Sequence, residues 1–284
     1  LKPLVAPLAP GLPPPAGEPP ITPPASALTT LTSRPIFGYW IRGDEIFYLA
    51  DDGEVFKIAS NGDETNVVSQ PINNLVSLES SFDDKKALVA FGSVRNPIFS
   101  ILNLEDSSWQ PLPQGVTSAA WDPKGNRLAH LKDTGGVSAL AILNLDNQKT
   151  AEVMRLSEQG LGLEWVRPDE VYLTERPSAQ AKSSVWAVNI KNKTLRPVVR
   201  EEPGLMINWG FGGEMGLKFT NAARESQLSL ITKNNQILRP APFRGVLPSK
   251  CLIEEPLVYC AVPQTIPAGT LLPRILEKSA FTDR

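Results

Sequence analysis

Histidine is almost missing from this 284-residue chain: there is one, His130, beside two cysteines and three methionines. A His-dependent catalytic triad has only His130 to draw on, and the four Cys/His ligands of a structural zinc site cannot be assembled. An excess of either charge is missing too. Lys and Arg number 28, Asp and Glu 30, for a formal charge of −2. That balance carries neither the basic footprint of a nucleic-acid binder nor an acidic solvating run. No window of 18 apolar residues is present, so no transmembrane helix is expected within the chain, and no signal peptide is visible.

Proline, by contrast, is concentrated. Eleven of the 27 fall in residues 1–35, which leaves 16 for the other 249. Residues 1–35 contain no aromatic and only Lys2, Glu18 and Arg34 as charges. Such a stretch has too little apolar surface to offset the entropy of ordering it. Pro13-Pro14-Pro15, Pro19-Pro20 and Pro23-Pro24 favour extended polyproline II. Residues 1–35 are therefore expected to be a disordered linker, or a stalk that holds a domain spanning 36–284 away from an anchor. The chain begins at Leu1, and an anchor or cleaved signal upstream of it is compatible with this reading.

From Phe37 onward the composition is that of a domain able to bury a sizeable core; apolar residues make up 42% of the whole chain. An internal repeat organises it. Trp121, Trp165 and Trp209 stand 44 residues apart, and a further 44 reaches Ile253. Trp40-Ile-Arg-Gly-Asp-Glu-Ile-Phe matches Trp165-Val-Arg-Pro-Asp-Glu-Val-Tyr in residue type at nearly every position. A second marker runs in phase: Ile101-Leu-Asn-Leu104 recurs as Ile142-Leu-Asn-Leu145, then weakens to Ala187-Val-Asn-Ile190 and Leu230-Ile-Thr-Lys233. A period near 44 suits propeller blades and helical repeats alike. Local pattern separates them. The apolar runs are about six residues long and end in Ser60-Asn-Gly-Asp63, Asp51-Asp-Gly53 or Pro123-Lys-Gly-Asn126, which is hairpin chemistry. The chain is thus expected to be all-β: a β-propeller of four-stranded blades at about 36–69, 75–114, 118–157, 162–200 and 207–243, with an incomplete sixth over 250–284. Pro263–Leu272 reads as an inserted loop, and the closing strands as missing or replaced by Leu271–Arg284, as in a C-terminally truncated chain.

The run Ala120-Trp-Asp-Pro-Lys-Gly-Asn-Arg-Leu-Ala129 resembles the W-S-P-D-G-K-x-L-A signature of TolB-type (PD40) propeller repeats, and Ser81-Phe-Asp-Asp-Lys-Lys-Ala-Leu-Val89 resembles it more weakly. The resemblance covers roughly 36–262. It implies radial blade packing and is nearly silent on function, since such repeats also build the gates of prolyl-oligopeptidase-like peptidases.

Candidate chemistry is sparse. Trp40, Trp121, Trp165 and Trp209 are expected to pack between neighbouring blades, with a ligand-stacking ring as the alternative. Asp44-Glu45 and Asp169-Glu170 are adjacent pairs whose side chains point to opposite faces of a strand, so neither is one catalytic pair; turn and surface roles are expected. A glycan-active propeller needs carboxylates from different blades converging on the axis, and no linear motif reveals that. His130 is expected to be a hydrogen-bonded sheet residue, and Lys85-Lys86 a solvated turn. A hairpin turning at Glu255-Pro256 pairs 254 with 257 and hence Cys251 with Cys260, about 4.5 Å apart at Cα in a non-hydrogen-bonded pair. A disulfide is expected there, with two buried thiols as the alternative. The surroundings of these cysteines resemble bacterial surface propellers held by an N-terminal membrane helix, which implies an extracytoplasmic, cell-surface or periplasmic location.

The functional expectation is a non-catalytic recognition or scaffold propeller without cofactor, metal or nucleic acid. Its partner is a protein or peptide, with a glycan as the alternative, and it meets a membrane only through an upstream anchor. The competing class is the propeller portion of an enzyme. No G-x-S-x-G elbow is present, so peptidase chemistry would need residues from elsewhere.

Overall fold

The computed structural model describes residues 29–262, except 69, 95, 179–180, 223–224, 242–245 and 255–256. The Pro-rich run up to residue 28 and the loop and closing segment expected over 263–284 lie outside the described residues. The chain divides into two compact units, Leu1–Ser33 and Arg34–Arg284. Of the first, residues 29–33 are described and form neither helix nor strand.

The second unit is a β-propeller. Five antiparallel four-stranded sheets follow one another, each with its strands in chain order: β1–β4 within 36–68, β5–β8 within 75–111, β9–β12 within 116–156, β13–β16 within 162–203 and β17–β20 within 206–240. A two-stranded sheet, β21 (Cys251–Glu254) with β22 (Leu257–Cys260), begins a sixth blade. Two short 3₁₀ turns, Phe211–Gly213 and Pro248–Lys250, are the helical segments among the described residues.

The hydrophobic clusters explain why the strands read as continuous apolar runs. In β6 (Lys86–Gly92), Ala87 and Val89 pack against Trp40, Phe47 and Leu49 of the first blade, while Leu88 and Ala90 pack against Val116, Trp121 and Leu128 of the third. Both faces of such a strand are buried, so alternation disappears. The same arrangement joins the third blade to the fourth through Leu131, Leu163 and Trp165, the fourth to the fifth through Tyr172 and Leu205, and the fifth to the hairpin through Phe219, Cys251 and Ile253.

The repeated Ile-Leu-Asn-Leu marker has a physical cause. Asn103 accepts the amide of Glu105, Asn144 those of Asp146 and Asn147, and Asn189 those of Lys191 and Asn192. In the fifth blade the Thr232 hydroxyl accepts from Asn234 and Gln236 instead. Each residue nucleates the turn into the outermost strand, and each turn then places one residue in the left-handed region: Ser107, Gln148, Lys193 and Asn235. Earlier in the blade, Asp83 and Asp122 cap the turn between the first two strands through the amides of Lys85 and Lys124.

Candidate axial binding site

The first strand of each sheet is innermost. These strands are β1 (Ile36–Arg42), β5 (Leu75–Ser80), β9 (Val116–Trp121), β13 (Gly162–Arg167) and β17 (Met206–Trp209). β9 packs on β13, and β1 approaches β5. Where the last residues of β5, β9, β13 and β17 converge, they line an open cavity of about 390 Å³.

Its walls are built from equivalent repeat positions. Trp121 and Trp165 are buried and Trp209 is half-buried, its ring meeting Tyr172 edge-on with centroids 5.0 Å apart. In the second blade the equivalent residue is Ser80: it pairs with Ala87 as Trp121 pairs with Leu128, one turn apart in matching registers. A small residue in place of the indole opens the space. Gly213 of the following 3₁₀ turn approaches so closely that a Cβ there would lie 2.3 Å from Val166 Cγ1, at positive φ, so only glycine seats this lip against the fourth blade.

One position before the tryptophan site stand Glu79, Ala120, Glu164 and Asn208. Asn208 is spent on structure, donating from Nδ2 to the carbonyls of Pro248 and Cys251 at 3.1 and 3.0 Å, which ties the fifth blade to the hairpin. The two glutamates remain. Glu79 is an exposed residue of β5, although neighbouring blades crowd its carboxyl at the cavity. Burial pushes its carboxyl up to about 7, against the pull of the Trp121 amide. Burial likewise pushes Glu164 to about 7, helped by repulsion from Glu79. No positive charge contributes to either. Nearby Asp122 is already neutralised by Arg127, whose Nε lies 2.5 Å from Oδ2 and whose guanidinium stacks over Trp165 at 4.9 Å. Two carboxylates from different blades thus line one open cavity, which is a geometry suited to holding a cation or to exchanging protons.

The tryptophans expected at the repeat core do not behave alike. Trp121 donates Nε1 to the Glu79 carbonyl across the blade boundary at 3.0 Å, whereas Trp40 and Trp165, equally buried, have no partner for Nε1. His130 is the sheet residue expected, paired in β10 (Arg127–Thr134) with Ala119 and Ala141, and its buried Nδ1 has no hydrogen-bond partner. Burial, then the charge of Lys132, lowers its pKa and keeps the ring neutral. The adjacent acids act as cross-strand pairs: Glu45 with Lys57, Asp169 with Lys191, and Glu170 with Arg196. Lys85 is solvated and paired with Glu105, but Lys86 opens strand β6 and is half-buried rather than part of the turn. Cys251 and Cys260 face each other in register and form a disulfide, with Cα atoms 4.1 Å apart. Among the described residues no three His, Cys, Asp or Glu side chains converge to hold a metal ion.

Sequence reasoning missed Glu79 and Glu164. Each precedes the tryptophan position of its blade, and that shared offset was readable. The second blade hid it, because Ser80 replaces the indole that marks the phase.

No protein-family model matches the sequence, and no curated protein matches it. Solved structures do. TolB from Acinetobacter baumannii is similar at 15% identity and a TM-score of 0.52, over 74% of this chain and 55% of that one. An oligogalacturonate lyase in complex with manganese is similar at 12% and 0.54, over 74% and 66%. The β-propeller domain of the trilobed protease from Pyrococcus furiosus, described as having an open velcro topology, is similar at 11% and 0.58, over 80% and 77%. The chain therefore spans between half and two thirds of the first two proteins. At these identities the likeness defines the fold alone, which is a TolB-like β-propeller.

Proposed function

We propose that this chain is a non-catalytic recognition propeller of the extracytoplasmic space, displayed at a bacterial cell surface or in the periplasm, which takes part of a protein or peptide partner into the axial cavity. The observation that carries the reading is the cavity itself: four blades converge on one open cavity that presents two carboxylates, Glu79 and Glu164, without ion-pair partners among the described residues. Concave sites with apolar walls and a few convergent polar groups are where proteins take ligands. The Cys251–Cys260 disulfide supports an oxidising compartment.

A second reading has an observation in its favour. Two carboxylates raised to about 7 on different blades could serve as acid and base on a glycan, and one similar structure is a lyase.

Probing peptide and glycan arrays with the purified chain separates the two. Ser80→Trp, which restores the indole of the repeat and fills the cavity, is the control. The recognition reading expects peptide capture that Ser80→Trp abolishes, and no change in the ligand. Capture undiminished by Ser80→Trp overturns the axial site. Cleavage of an arrayed glycan, lost in Glu164→Gln, establishes the enzyme instead.

A further inference from the structure

The cavity specifies more than its shape. Other acidic side chains of these blades have cations of their own: Asp122 has Arg127, Glu170 has Arg196, and Glu214 has Arg167 and Lys233. Glu79 and Glu164 stand apart from this pattern. Neither forms an ion pair among the described residues, and Glu164 accepts no hydrogen bond among them. Two like charges lining one cavity repel, and the half-buried Glu164 is less well solvated than it would be in bulk water. Such a pair is incomplete in the molecule by itself.

A second and independent feature concerns the wall. Trp165 is 6% exposed, borders the same cavity, and buries its indole N–H without an acceptor. Its counterpart Trp121 has found a carbonyl in the preceding blade. That N–H has no accessible surface, so what Trp165 lends the cavity is aromatic wall, set beside two carboxylates without ion-pair partners among the described residues.

Resting on the recognition reading above, we propose that the axial cavity binds an arginine side chain presented by a peptide, its guanidinium held between the Glu79 and Glu164 carboxylates against the tryptophan wall. A guanidinium is planar, always charged, donates to two carboxylates at once, and stacks on indole faces; an ammonium does only part of this. The molecule already contains one such contact, Arg127 over Trp165. The volume, about 390 Å³, lies at the small end of the range for ligand sites, which suits one long side chain with its flanking backbone and not a folded element.

The test uses the full chain and three capped tripeptides, Gly-Arg-Gly, Gly-Lys-Gly and Gly-citrulline-Gly, titrated to millimolar concentration while the indole N–H signals of the tryptophans are followed by NMR. Citrulline keeps the shape of arginine and removes its charge. The expected result is a saturable shift of the Trp165 and Trp209 signals with the arginine peptide, weakened about tenfold or more with citrulline and intermediate with lysine. The double variant Glu79→Gln/Glu164→Gln, checked for an unchanged spectrum elsewhere, should lose the same tenfold. Equal binding of the citrulline peptide, full binding by the double variant, or no shift with arginine each overturns the proposal. Calcium chloride shifting these signals where the arginine peptide does not overturns it in favour of an inorganic cation. A neutral or acidic array ligand that Ser80→Trp blocks would remove the arginine assignment while leaving the axial recognition site standing.

Discussion

A tryptophan at a fixed repeat position does different work in different blades. Trp121 spans the boundary between the second and third blades and donates to the Glu79 carbonyl. Trp165 has the same burial and no such bond. Replacing each with phenylalanine therefore separates packing from hydrogen bonding. Both variants lose indole area, but only Trp121→Phe also leaves a part-buried carbonyl with one partner fewer. It should cost about 1 kcal/mol more than Trp165→Phe in equilibrium urea unfolding. Equal losses would show that the inter-blade bond contributes nothing net. The periodicity of these residues was legible because large aromatics between blades recur with the repeat. Their individual partners were not, because a partner belongs to the neighbouring blade, some 42 residues away in the case of Trp121 and Glu79.

At the scale of the element, turns and register carry the information. Asp122 is buried, caps the Lys124 amide at 3.0 Å and holds the Arg127 guanidinium. Asp122→Ala removes both interactions and leaves Arg127 over Trp165 without its counter-charge. We expect a loss of about 2–3 kcal/mol, read as a shift of the urea midpoint with unchanged slope. A loss under 0.5 kcal/mol, the range of ordinary surface substitutions, would contradict this account of the turn. The hairpin β21–β22 is a second case. It has one neighbour, the fifth blade, and its other face exposes Leu252, Leu257 and Tyr259. The disulfide closes a loop of nine residues' separation, worth about 2–3 kcal/mol at most. Cys251→Ser/Cys260→Ser should raise amide exchange in β21 and β22 well before it lowers the global midpoint, since the five complete blades do not depend on that bond. Uniform faster exchange throughout the propeller would show that the hairpin is integral to the whole ring. Thiol titration of unfolded, unreduced protein from its native compartment should find no free thiol.

For the whole molecule the two axial glutamates set a pH dependence of unusual sign. In the folded chain both hold their protons to about pH 7; in the unfolded chain they release them near pH 4.3. Between these values the unfolded state binds fewer protons, so stability falls as pH rises, and the unfavourable contribution is complete above pH 7. His130 acts in the opposite sense. Its folded pKa is lowered, so below about pH 6.5 the unfolded state gains a proton that the fold refuses. The exposed acids with lowered pKa, Asp106, Glu152 and Glu214, matter only as pH falls toward their own range. The double variant Glu79→Gln/Glu164→Gln isolates the axial pair. It should melt higher than the parent at pH 8, with most of the gain from Glu164 because solvent screens the exposed Glu79, and near the parent's value at about pH 4.5. A parent whose stability is flat from pH 5 to 8, and unchanged in the variant, would show that the carboxylates are solvated like surface groups.

The residues alone determined the all-β class, the blade period and the register that brings Cys251 to Cys260, because each depends on contacts within one hairpin or one repeat. Short apolar runs, Asn-led turns and a tryptophan every 44 residues are local facts with local causes. The axial site was decided only by the tertiary structure. Glu79 and Glu164 lie 85 positions apart and belong to blades that are not adjacent, so no window of sequence holds both. Their shared cavity exists because four first strands end at one place, and because Ser80 stands where the repeat puts an indole. Charge repulsion and loss of solvent arise from that convergence, and no property of either glutamate in the unfolded chain anticipates them.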